Sequence, residues 1–283
     1  MPEGPEVKRL TEELNEKLSN HTIKDITVIG GKYNKKGITD IHKLIGLKIM
    51  SINCYGKFIY WNFHNSDVVM FNTLGMTGWW EYEETPHNNI KHNNIQFIIN
   101  DIVIYFNDMR NFGNIIVANK EKLQKKLDTL GADILTDNIN ASFEKFKKRL
   151  FKKRDDMMIC TALLDQTIAA GCGNYLRAEA LYIAKMSPFR TIHNISEDEL
   201  TILWEILVML GWYYYDEKQG RKLKIINDKY KLAAQYKKSG PSRYKPGEGY
   251  FHVYRQKKDS EGNTVMSKKI NDRTIYYVKT KQK

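Results

Sequence analysis

Residues 163–182 read LLDQTIAAGCGNYLRAEALY, and more of the fold hangs on this stretch than on any other. Apolar residues at helical spacing lie on both sides of Gly171-Cys172-Gly173-Asn174, which predicts two helical segments joined by a tight turn. Glycine allows such a turn and lets a phosphate approach the backbone closely, and N–H groups at the start of the following helix form an anion site. As a bare pattern, the stretch fits an ordinary helix-turn-helix connection equally well.

Moving outward, Met157 to about Asp216 has a helical pattern, and Lys120 to Arg154 before it is rich in Lys and Leu. Upstream of residue 120, β-rich runs alternate with turn residues: Thr22–Ile29, Leu47–Asn53, Phe58–Phe63, Val68–Asn72, Ile95–Ile99, Ile102–Phe106 and Asn114–Val117. Regular spacing of short strands predicts an antiparallel sandwich. Ahead of it, Val7, Leu10, Leu14 and Leu18 mark one amphipathic helix from Pro5 to about Asn20, with Pro5 suited to the first turn. Downstream, Gly240-Pro241 and Pro246-Gly247 punctuate the chain. Tyr250–Gln256 and Thr274–Lys279 then read as the strands of a hairpin whose loop, Lys257–Arg273, is polar and basic. The expected class is α+β, with three parts: a β-sandwich over 1–125, a helical domain over 126–245, and a terminal hairpin over 246–283.

The chain has 283 residues, 45 Lys and Arg against 33 Asp and Glu, and a net charge of +12. That excess suits a polyanion, because neutralising phosphates releases counterions, although solubility alone could also account for it. No apolar run approaches the roughly 20 residues of a membrane span, and the polar start Met1-Pro2-Glu3-Gly4-Pro5-Glu6 carries no signal peptide. Three scattered cysteines, Cys54, Cys160 and Cys172, are too few for a disulfide framework or a four-ligand zinc site. An intracellular, reducing compartment is expected.

Removing Met1 would expose the secondary amine of Pro2. An α-amino group titrates near pH ~7.7–8.0, so part of it is neutral at physiological pH, and the helix N-terminus just downstream disfavours the protonated form. Such an amine can attack a sugar C1′ and form an iminium. Glu3 lies where a carboxylic acid could protonate the ribose ring oxygen, and Glu6 could relay protons. A frayed terminus ahead of an ordinary helix cap explains the same residues.

Four motifs in order make the chain resemble the formamidopyrimidine-DNA glycosylase / endonuclease VIII family. They are the Pro2-Glu3-Gly4-Pro5-Glu6 start; Tyr55-Gly56-Lys57-Phe58; Thr73-Leu74-Gly75-Met76-Thr77-Gly78 with Asp108-Met109-Arg110-Asn111-Phe112-Gly113; and Asp165–Glu179. The resemblance implies a bifunctional glycosylase and abasic-site lyase that removes oxidised bases and then cuts by β,δ-elimination, with Pro2 as Schiff-base nucleophile and Glu3 as general acid. It implies that Lys57 grips phosphate, that Met76 fills the void left by the extruded base, that Arg110 pairs with the orphaned base and that Phe112 wedges the stack. The 126–245 domain would bind DNA, and Asn174 would hold phosphate in its helix-two-turn-helix module. Members of the family usually end in a four-cysteine zinc hairpin, but residues 265–283 contain no cysteine. The resemblance therefore implies that 246–283 is a zincless finger of the vertebrate or viral Nei-like type, held by Tyr254, Tyr276 and Tyr277, with Arg273 reaching phosphate. No metal and no cofactor are required, the partner is damaged double-stranded DNA, there is no membrane role, and a monomer is expected. The implied compartment is one that contains DNA: nucleus, bacterial cytoplasm or viral factory. The finger and the short Lys245–Tyr250 loop favour oxidised pyrimidines and hydantoins, whereas Met76, Arg110 and Phe112 resemble the branch that prefers oxidised purines. A catalytically silent damage-binding protein and a basic RNA-binding module are the competing functions.

Overall fold

The computed structural model describes residues 2–84, 90–215 and 251–283. It divides into two compact units, Met1–Thr129 and Leu130–Lys283.

The first unit opens with α1 (Gly4–Leu18), whose Val7, Leu10, Leu14 and Leu18 are all buried. Strand β1 (Ile23–Val28) and the single-turn α2 (Tyr33–Lys36) follow, then β2 (Ile49–Tyr55), β3 (Phe58–Phe63), β4 (Val68–Thr73), β5 (Gly78–Tyr82), β6 (Asn93–Ile99), β7 (Ile102–Asp108) and β8 (Asn114–Asn119). They form two four-stranded antiparallel sheets, ordered β1-β6-β7-β5 and β2-β3-β4-β8. Alternating side chains of both sheets meet in one core, where Trp80 lies 5.4 Å from Trp61 and 5.3 Å from both Phe97 and Phe106 between ring centres. Trp80 Nε1 donates to Asn72 Oδ1 at 2.9 Å, whereas the buried Trp61 Nε1 has no hydrogen-bond partner among the described residues. Strand β5 lies outside the seven runs read from sequence. Its Gly78 closes the Thr73–Gly78 motif, so the motif's loop character masks the strand that begins there. Helix α3 (Lys120–Thr129) ends the unit.

The second unit contains the short parallel pair β9 (Ala132–Asp133) and β10 (Ala169–Ala170), with α4 (Ile139–Leu150), α5 (Ile159–Ala162), α6 (Asn174–Ile183) and α7 (Glu197–Tyr215). Helix α6 is buried from Asn174 to Tyr182, and its polar residues Asn174, Arg177 and Glu179 are buried along with the apolar ones. Phe146 stacks on Trp204 at 4.6 Å, joining α4 to α7. The hairpin β11 (Met266–Ile270) and β12 (Arg273–Tyr277) completes the unit.

This hairpin differs from the expected one. Met266–Ile270, not the stretch before Gln256, pairs with Arg273–Tyr277, because Asn271 (φ 45°) and Asp272 (φ 61°) both take the left-handed conformation of a two-residue turn. Phe251–Gln256 is held another way: the Glu179 carboxylate accepts the N–H groups of His252, Val253 and Tyr254 at 2.8, 2.9 and 2.9 Å. The Gly240-Pro241 and Pro246-Gly247 punctuation, the Lys245–Tyr250 loop and the 245/246 boundary lie outside the described residues.

Candidate nucleic-acid interface and active site

Strand register gathers the first unit's candidates at one end of the sandwich. Phe58 is paired with Tyr55 on β2 and with Thr73 on β4, and Thr73 with Asn114 on β8, while in the other sheet Gly78 faces Asp108. The Gly56-Lys57 turn, the Leu74–Thr77 loop and the Met109–Gly113 loop therefore all leave the sheets at the same end. Helix α1 is aimed there too. Ile52 donates to Asn15 Oδ1 and Asn20 donates to Ile49 O, each at 2.8 Å, so α1 runs against β2 and its first turn lies toward Tyr55. Pro2, half-buried, precedes that turn by two residues.

At the helix start Glu3 is 1% exposed and forms a capping box with Glu6: the Glu3 N–H donates to Glu6 Oε2 at 2.8 Å while the Glu3 carboxylate accepts the Glu6 N–H. Glu6 also lies 3.8 Å from Arg9. This engages Glu6 in shaping the terminus beside Pro2. Lys57 stands in a two-residue turn that Gly56 (φ 57°) makes possible.

Asp108 organises the paired loops. Its buried carboxylate accepts Thr77 Oγ1 at 2.6 Å, Arg110 N at 3.3 Å and Gly113 N at 2.7 Å. Thr77 Oγ1 in turn accepts Arg110 N at 3.0 Å. A Cβ on Gly75 (φ 61°) would sit 2.6 Å from the Phe112 carbonyl carbon, so only glycine lets the loops press together. Outward from this base stand Arg110, whose Nη1 lies 3.6 Å from Met76 Sδ, and the exposed Phe112 and Met109. In the Asp108–Gly113 motif the sequence alone assigns Asp108 no role. A carboxylate at the mouth of a loop rich in backbone N–H groups was the available signal.

In the second unit, Asn174 begins α6 and Arg273 begins β12, and the two are tied together because Asn174 Nδ2 donates to Thr274 O at 3.0 Å. Asn174 Oδ1 accepts from Arg177 Nη2 at 2.7 Å. Its side-chain amide thus joins helix to hairpin. The turn before α6 is braced by Gln166, which accepts Gly171 N at 3.0 Å and donates to Cys172 O at 2.9 Å. Asp165 meets Lys153 at 2.9 Å and Thr167; partial burial raises its pKa, but hydrogen bonds from Lys153 and Thr167 outweigh this and lower it overall. Cys160 and Cys172 are wholly buried. In the finger, Tyr254 packs edge-on against Tyr276 at 5.4 Å and Phe189 against Tyr277 at 4.9 Å. Asp259 accepts N–H groups of Glu261 and Asn263 and the Tyr182 hydroxyl. Among the described residues there is no cluster of His, Cys, Asp and Glu able to hold a metal, and no helix long and apolar enough to cross a membrane.

Two family models match the chain: the formamidopyrimidine-DNA glycosylase N-terminal domain over residues 1–115 and the formamidopyrimidine-DNA glycosylase helix-two-turn-helix (H2TH) domain over residues 130–210. The formamidopyrimidine-DNA glycosylase of Wolbachia sp. subsp. Drosophila simulans is 34% identical over 203 residues, spanning 70% of this chain and 72% of the relative. The Lactococcus lactis enzyme bound non-covalently to DNA with an abasic site has the same fold, with a TM-score of 0.74 at 21% identity over 99% of both chains. The Thermus thermophilus protein superposes with a TM-score of 0.72 at 22% identity, over 99% of this chain and 98% of that one.

Proposed function

The chain belongs to the formamidopyrimidine-DNA glycosylase family, and on that premise we propose that it removes oxidised bases from duplex DNA through a Schiff base on Pro2 and then cuts the strand by β,δ-elimination. As a member it is a DNA glycosylase of oxidised-base repair with abasic-site lyase activity. The observation that carries the finer reading is the convergence of the Pro2 end of α1, the Lys57 turn and the Arg110 loop at one end of the sandwich.

Once Met1 is removed, the neutral Pro2 nitrogen attacks C1′ of the lesion nucleotide, the glycosidic bond breaks and the base leaves with a proton. Glu3 supplies acid to the ribose ring oxygen, which opens the ring and leaves an iminium. Loss of the C2′ proton then expels the 3′ phosphate, and a second elimination expels the 5′ phosphate. Water releases Pro2, and the product is a one-nucleotide gap with phosphate at both ends. Lys57, Arg273 and the N–H groups opening α6 hold phosphates, while Met76, Arg110 and Phe112 replace the extruded base and offset the cost of unstacking. Asn174 acts in this scheme by fixing the α6 terminus to β12. The protein works as a monomer on damaged double-stranded DNA and needs no metal or cofactor.

Sodium borohydride should trap a covalent complex with abasic-site DNA whose cross-linked peptide starts at Pro2. Failure to trap from protein with a confirmed Pro2 terminus, or activity surviving acetylation of that nitrogen, removes the mechanism. For substrate, the zincless finger supports oxidised pyrimidines and hydantoins. The names of the curated relatives and the Met76, Arg110 and Phe112 set support oxidised purines as the second reading. Rates on a panel of lesions, each opposite all four bases, decide between them.

A further inference from the structure

A segment outside the site set grips the loop that carries Arg110 and Phe112. Asn111 takes a left-handed conformation (φ 58°) and turns its side chain inward, where Oδ1 accepts Lys32 N at 3.0 Å and Asn94 Nδ2 at 3.1 Å. Asn94 Nδ2 also donates to Asp108 O at 3.2 Å. The Lys32 ammonium donates to Gly113 O at 2.5 Å and to Asn114 Oδ1 at 2.7 Å. Tyr33 adds its hydroxyl, donating to Gly113 O at 3.2 Å and accepting Ile115 N at 3.0 Å. Burial pushes the Tyr33 pKa up to about 12, so it keeps that proton at physiological pH. Gly31 (φ 67°) closes the contact, since a Cβ there would lie 2.3 Å from Asn111 Oδ1.

We propose that Lys32, Asn94 and Asn111 are positioning residues that hold the Asp108–Gly113 turn in its base-replacing shape before DNA arrives. The inference rests on the reading of Arg110 and Phe112 as the groups that enter the duplex. Phe112 is 57% exposed, and packing of its own ring does not fix the turn. What fixes it is the set of polar bonds on the inner side, which point the backbone carbonyls of Asp108 and Gly113 and the Asn111 amide away from solvent and leave Arg110 and Phe112 outside. A turn already ordered spares DNA binding the loss of loop entropy, and Arg110 meets the orphaned base from a fixed origin.

The test uses Asn111→Gly, which retains the left-handed backbone and deletes the acceptor, with Asn94→Ala, the Asn94→Ala/Asn111→Gly double and Lys32→Met. Single-turnover base removal from a duplex lesion should fall on the order of 10- to 100-fold, and the spread of rates across the four opposite bases should narrow. The double should lose less than the two singles summed, because both delete the Asn94–Asn111 bond while each also deletes one bond of its own, from Lys32 N or to Asp108 O. Borohydride trapping on single-stranded abasic DNA, which has no partner base to read, should match wild type. Wild-type rates and opposite-base spread in the variants, equal losses on single-stranded abasic DNA, or additive losses in the double would each overturn the proposal. Wild-type protein that cannot be trapped on duplex abasic DNA would sink the parent reading along with this one, so the two failures are told apart.

Discussion

Glu3 and Glu6 share one helix turn but not one task. The two carboxylates share a capping box, and Glu3, buried and one residue from Pro2, is the acid of the proposed mechanism. Glu3→Gln retains an oxygen for the cap and loses the transferable proton. Base removal should therefore fall about 100-fold or more, whereas cleavage at a ready-made abasic site, where no glycosidic bond remains, should fall much less. Paired single-turnover assays on the two substrates measure the difference. Equal losses would take Glu3 out of the acid's role.

A buried carboxylate, that of Glu179, joins helix α6 to the start of the finger. Glu179 is wholly buried, and that burial pushes its pKa up to about 7 against the pull of three N–H donors. A group that holds its proton more tightly folded than unfolded stabilises most at pH below its ordinary 4.5, and the contribution is lost as pH rises through about 7. The Glu179→Gln variant cannot titrate there. Its unfolding free energy relative to wild type should rise by on the order of 3 kcal/mol between pH ~4.5 and pH ~7.5. His252, whose pKa burial lowers, slopes the opposite way but is present in both proteins and cancels in the difference. Chemical denaturation across that pH range reads the effect, and a difference that stays flat would show that Glu179 does not titrate there.

At the scale of the whole molecule the net charge of +12 sets a strong salt dependence on DNA binding. Lys57 belongs to the first unit and Arg273 to the second. If each neutralises one phosphate of the same duplex, Lys57→Ala and Arg273→Ala should each flatten the slope of log K against log salt by about 0.9, and the double variant by about 1.8. Binding isotherms on lesion duplex over a range of salt give these slopes. An unchanged slope removes that residue from the phosphate set, and a double no flatter than one single would mean the two contacts are not independent.

The amino-acid order alone determined what is local or chemical in this protein: the α1 face of Leu10, Leu14 and Leu18, seven of the eight sandwich strands, the turn-forming Gly171-Cys172-Gly173-Asn174 and the motifs that carry the family. Those follow from side-chain period and from residue types that few chemistries require. Tertiary structure alone decided pairing across distance. It brought Thr73 beside both Phe58 and Asn114, gave β12 its partner at Met266–Ile270, and set Lys32 against Asn111, 79 positions away. Contacts of that kind leave no periodicity in the chain, because the free energy that selects them comes from burial and hydrogen bonding formed only once both strands are in place.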